Sequence, residues 1–70
     1  MKRRDLLRRI AKAAAEAGVE FELVREGGEH SVYQCGPARF TVPRHVEVNE
    51  ITAHGILRNL ESEFGKGWWR

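Results

Sequence analysis

Seventy residues support one domain, spanning 1–70, because a chain this short buries only roughly 60% of its unfolded surface around a single core. A deep pocket would compete with that core for volume, so an active site should be shallow and its substrate polymeric. Charged residues make up 31% and apolar residues 41%, which fits a folded protein and excludes a disordered one. No apolar run approaches the roughly 18 residues that cross a bilayer, and MKRRD leads into an arginine-studded segment rather than a signal sequence. The expectation is a cytoplasmic protein without a membrane partner.

The single cysteine, Cys35, cannot form an internal disulfide and has no His or Cys at metal-ligand spacing, so it reads as a small packed hydrophobe. The net charge of +2 is unevenly spread. Residues 2–12 carry Lys2, Arg3, Arg4, Arg8, Arg9 and Lys12 against Asp5 alone, whereas residues 20–29 carry four glutamates against Arg25.

In chain order, Leu6, Leu7, Ile10, Ala13, Ala14 and Ala17 fall within an arc of roughly 120° at about 100° per residue, which predicts a helix over 3–17 with Gly18 as its stop. Arg4, Arg8 and Lys12 line the opposite side at i, i+4 and i+8, where they are candidates for phosphate contacts. The plainer alternative is a solvated face with an Asp5–Arg9 pair.

Three strand signals follow, at 20–25, 31–35 and 39–42, separated by Gly27-Gly28 and Gly36-Pro37. Such short connections link antiparallel neighbours, and Pro43 closes the third strand because it has no donor for the ladder. In the second strand either Ser31, Tyr33 and Cys35 or His30, Val32 and Gln34 can face inward; Tyr33 and Cys35 are preferred.

A second helix is signalled by Thr52 as N-cap, with Ile51 and Ile56 at hydrophobic-staple positions and Ile56, Leu57, Leu60 and Phe64 as its buried stripe. Trp68 and Trp69 follow Gly65 and Gly67, and either dock back on the domain, the preferred reading, or await a partner. There is no repeat or linker. The expected class is therefore α+β, with order α-β-β-β-α and both helices on one face of a three-stranded antiparallel sheet. The other face stays open.

An open antiparallel face on a basic domain is a plausible RNA platform. Within this frame lie Gly27-Gly28-Glu29-His30-Ser31-Val32-Tyr33, then Val42-Pro43-Arg44-His45, then Asn49-Glu50-Ile51 leading into Ile56-Leu57-Arg58. On these segments the chain resembles the HicA family of mRNA-cleaving toxins, the toxin half of bacterial HicA/HicB toxin-antitoxin pairs. The resemblance implies a small double-stranded-RNA-binding-like fold and endoribonuclease activity on mRNA. A histidine general acid-base mechanism for it needs neither metal nor cofactor, in keeping with the lack of a ligand cluster among His30, His45, His54, Cys35 and the carboxylates. It also implies inhibition by a HicB-type antitoxin protein. His30 occupies the position of the family's catalytic histidine, while Glu29 replaces the usual serine before it and sets a negative charge beside the site.

Chemically, an imidazole changes charge near neutral pH and can take the proton of an RNA 2′-hydroxyl, whose oxygen then attacks its own phosphate and leaves a 2′,3′-cyclic end. Arg44 is the first candidate to stabilise the phosphorane, and His45 borders the RNA. Arg39, Arg4, Arg8 and Lys12 complete the expected RNA-binding set, whereas His54 gains no role. The rivals are a non-catalytic RNA-binding module and an interaction domain anchored through Trp68 and Trp69.

Overall fold

A computed structural model describes residues 1–70 as two layers, a three-stranded sheet and the helices on one of its faces. Helix α1 spans Arg3–Ala17 and buries Leu6, Ile10 and Ala14, the stripe that its apolar periodicity marks. Gly18 ends it in the left-handed conformation (φ 69°), which lets its N–H reach the carbonyls of Ala14 and Ala15.

Strands β1 (Phe21–Glu26), β2 (His30–Cys35) and β3 (Ala38–Pro43) form an antiparallel meander in the order β1-β2-β3. Ser31, Tyr33 and Cys35 face the helices, as preferred, together with Phe40 and Val42 of β3. On this inner face Phe21, Tyr33 and Phe40 stack side by side, with ring centroids 5.3 to 6.2 Å apart. His30, Val32 and Gln34 consequently point to the face without helices.

Strand β1 departs from simple alternation. Phe21, Glu22 and Leu23 pair in register with Cys35, Gln34 and Tyr33, but Arg25 rather than Val24 pairs with Val32, so a β-bulge falls at Val24. The extra residue reverses the facing of the two residues after it: Arg25 turns to the open face, and Glu26 turns inward against Ser31.

Helix α2 spans Glu50–Asn59 and starts three residues earlier than a Thr52 cap would place it. Asn49 is the N-cap, and its side-chain oxygen accepts from the Thr52 backbone N–H at 2.8 Å. Val48 and Ala53, buried to 1% and 2% exposure, take the staple positions, while Ile51 is 88% exposed. The expected single helix through Phe64 is broken at Leu60, whose backbone leaves helical geometry as its side chain enters the core; a short helix α3 (Glu61–Phe64) follows.

The core unites Leu6, Ile10 and Ala14 of α1 with Cys35, Phe40 and Val42 of the sheet and Ala53, Ile56 and Leu57 of α2. Trp68 and Trp69 dock on it rather than project, and the indole Nε1–H of Trp68 donates to the Leu57 carbonyl at 2.9 Å. The molecule measures 30 × 23 × 16 Å, and the short axis leaves no depth for an enclosed pocket. No helix is long and apolar enough to cross a membrane.

Candidate functional site

His30 opens β2 directly after the Gly27–Glu29 turn, and its position is fixed by backbone contacts on both sides. The Gly27 N–H donates to the His30 carbonyl at 2.8 Å, and a Cβ at Gly27 would lie 2.8 Å from that same oxygen, so only glycine fits there. Just past β3, the Arg44 N–H donates to the Glu29 carbonyl at 2.9 Å, and Arg44 Nη1 donates to the Gly27 carbonyl at 2.9 Å. The turn is clamped, yet the imidazole itself is exposed and hydrogen-bonds to nothing in the protein.

Strand register defines the surroundings of the imidazole. Val32 is flanked by Arg25 on β1 and Thr41 on β3, which makes both diagonal neighbours of His30, at about 7–8 Å between backbones and within reach of a long side chain. Arg39 pairs with Gln34, four residues farther along β2, so it lies roughly 13 Å away at about 3.3 Å per residue. Its Nη2 donates to Gln34 Oε1 at 2.9 Å. Arg25, Val32, Arg39 and Thr41 all line one shallow depression on this face.

Beneath the turn, on the inner side, lies a polar network. The Ser31 hydroxyl is fully buried; it donates to Glu26 Oε1 and accepts from Arg3 Nη2 at 3.1 Å. Arg3 Nε donates to the Pro43 carbonyl at 2.9 Å, and Arg44 Nε stands 3.8 Å from Glu26 Oε1. Arg3, which charge counting groups with the basic helix face, is thus drawn inward to bind β2 and β3 to α1. Arg44 occupies the edge of this network, on the other side of the sheet from His30.

Beyond it opens a cleft of about 410 Å³, lined by Lys2, Arg3, Arg4, Leu7, Arg44, His45 and Val46. The structure therefore brings Arg4, Arg44 and His45 together. Arg8 and Lys12 sit apart, in a cleft between α1 and the C-terminal segment shared with Arg9, Asp5, Glu16, Trp68 and Trp69. There Asp5 Oδ1 lies 3.9 Å from Arg8 Nη1, and likewise 3.9 Å from Arg4 Nε, instead of pairing with Arg9; Arg9 Nη1 donates to the Trp69 carbonyl at 3.1 Å.

The three histidines occupy separate surfaces: His30 the open sheet face, His45 the basic cleft, and His54 the outside of α2, where its ring stands roughly perpendicular to that of Trp69 with centroids 5.4 Å apart. Nowhere do three His, Cys, Asp or Glu side chains converge as ligands for a metal. Cys35 is buried behind the sheet, and its thiol is pushed above the ordinary range by desolvation and, secondarily, by the Glu63 carboxylate. It is packed and inert.

Sequence reasoning missed one contributor and left the surroundings of another open. Arg25 was hidden because strict alternation after Phe21 and Leu23 sends it inward, and only a bulge makes it His30's neighbour. Lys2 was counted in the basic 2–12 segment, but its place beside Arg44 and His45 was hidden because it depends on a bridge between its own backbone and that of Glu47, a contact across most of the chain. Comparison with models of protein families, with curated proteins and with solved structures finds no match to this chain.

Proposed function

We propose that the protein is the toxin component of a toxin-antitoxin pair and cleaves mRNA at the open sheet face, with His30 as general acid-base. The observation that carries this reading is the setting of His30: an unengaged imidazole on a clamped turn, on a helix-free surface, with Arg25 at the diagonal register position on β1. The flat, open geometry suits a polynucleotide.

In this mechanism the imidazole removes the proton of a 2′-hydroxyl, and the resulting oxyanion attacks the adjacent phosphorus. The bond to the 5′-oxygen breaks, that oxygen recovers a proton from the imidazolium or water, and the products are a 2′,3′-cyclic phosphate and a 5′-hydroxyl. The nucleophile belongs to the substrate, so no metal is needed to generate one. Arg25 faces the developing negative charge. Arg44, with its guanidinium held on the opposite side of the sheet end, serves the turn that carries His30.

A HicB-type antitoxin, the partner expected from the resemblance, would inhibit by covering the His30 face, where Arg25 and Arg39 offer charge for an acidic epitope. Incubation of wild-type and H30A protein with RNA, without added metal, tests the chemistry. Wild type should leave 2′,3′-cyclic phosphate ends by mass spectrometry, and H30A should lose about 10²- to 10⁴-fold in rate. Products ending in a 3′-hydroxyl, or undiminished cleavage by H30A, overturn the proposal. The second reading, a non-catalytic RNA-binding module, is favoured by the spread of cations over both the sheet face and the cleft at its end; RNA binding without cleavage identifies it.

A further inference from the structure

The cleft between the N-terminus of α1 and the segment after β3 differs from the other depressions beside the helices. Those next to Arg8 and Lys12, around His54, and near Lys66 each include at least one carboxylate in their walls. The walls formed by Lys2, Arg3, Arg4, Arg44 and His45 include none. Like charges are held together here by the fold: Arg3 is anchored through Pro43 and Ser31, Arg44 through the Gly27 carbonyl, and Lys2 through its backbone bridge to Glu47.

Lys2 and Arg4 also retain free donors, whereas Arg44 gives Nη1 to the Gly27 carbonyl and holds Nε 3.8 Å from Glu26 Oε1. The Lys2 ammonium makes no hydrogen bond or ion pair, and the only ionic neighbour of Arg4 is Asp5 at 3.9 Å, in a pair exposed enough to be worth little. Arg3 spends its donors internally, so it adds charge rather than contacts. Exposed Val46 gives the wall an apolar rim.

The cleft is continuous with the proposed site. Pro43 pairs directly with His30, and Arg44 and His45 are the next two residues. A strand that crosses the end of the sheet from the His30 face passes over Pro43 and enters the cleft. We infer that Lys2, Arg4, Arg44 and His45 form a second phosphate-binding subsite, which grips the RNA backbone around the corner from the cleaved bond. This inference rests on the RNA reading but not on His30 being the catalyst.

The probe is a fluorescent single-stranded RNA with 2′-O-methyl groups, which cannot be cleaved, and its affinity is followed by anisotropy against salt concentration. K2Q/R4Q should weaken binding about tenfold at low salt and lower the slope of log affinity against log salt by about 1.4, near 0.7 per lost single-strand contact. The single variants K2Q and R4Q should each give about half that slope change, while R58Q/K66Q, which removes the same charge elsewhere, should bind as wild type does.

Unchanged affinity and slope in K2Q/R4Q, or an equal loss in R58Q/K66Q, overturns the inference. So does equally tight competition by poly-glutamate of matched length, which would make the cleft a protein-docking surface. Saturation by inorganic phosphate that RNA does not displace would make it a free-phosphate site and overturns the backbone assignment too. Cleavage of ordinary RNA by H30A removes the catalytic reading and leaves the cleft standing.

Discussion

Arg25 owes its place to a backbone irregularity, since the same residue in an unbulged β1 would project into the helix layer among aromatic rings. Register makes it a diagonal neighbour of His30, whereas Arg39 lies two pairs farther on. On the proposed cleavage reading, Arg25 is therefore better placed on the His30 face than Arg44 to meet the charge that develops on phosphorus. R25Q should lower kcat about tenfold to a hundredfold and leave KM little changed, a milder loss than for a buried oxyanion donor because the face is open to solvent. R25K should recover part of the rate, as it keeps the charge but not the planar fork. Steady-state kinetics on a defined RNA check this, and a change in KM alone would make Arg25 a simple binding contact. Its neighbour Glu26 does different work through the same bulge: turned inward, it accepts from buried Ser31 and holds the base of the turn that presents His30.

At the scale of elements, much of the fold is legible in the residues. The apolar spacing from Leu6 to Ala17 and the stop at Gly18 define α1, and Gly27-Gly28 and Gly36-Pro37 define a meander. The start of α2 is not legible in the same way. Asn49 and Thr52 are both good caps, three residues apart, and each is preceded by a branched apolar residue, so local chemistry is degenerate. Tertiary packing decides, because burying Val48 rather than Ile51 aligns Ile56, Leu57 and Leu60 with the core. N49A should therefore cost about 1 kcal/mol in urea unfolding, and T52A only a few tenths, since Thr52 contributes its backbone N–H to the cap. The opposite ranking would return the cap to Thr52. The site was legible to a similar depth: alternation and the preference for Tyr33 and Cys35 inward set His30 on the open face, but the bulge and the long-range bridge that complete its surroundings leave no local signal.

At the scale of the whole molecule, the domain works near the lower limit of size, where total stability is expected at about 4–10 kcal/mol from the usual per-residue range. The segment after α3 is then part of the core's closure. Trp68 packs its ring against Phe64 with centroids 4.9 Å apart and satisfies its indole N–H on the Leu57 carbonyl, at the carboxyl end of α2. Trp69 lies farther out, with its ring roughly perpendicular to that of His54 and beneath the guanidinium of Arg70. Truncating Trp68 removes apolar contact area and leaves a carbonyl short of its donor, although solvent can partly replace the lost partner at this half-buried position. W68A should cost about 2–3 kcal/mol, below the range for a fully buried tryptophan. In a domain of this length that corresponds to a fall in Tm of roughly 10–20 °C by calorimetry. W69A should cost less than half as much, because its contacts are peripheral. Equal effects of the two substitutions would mean that the pair docks as one unit, and a negligible effect of W68A would mean that the segment lies on the core without stabilising it.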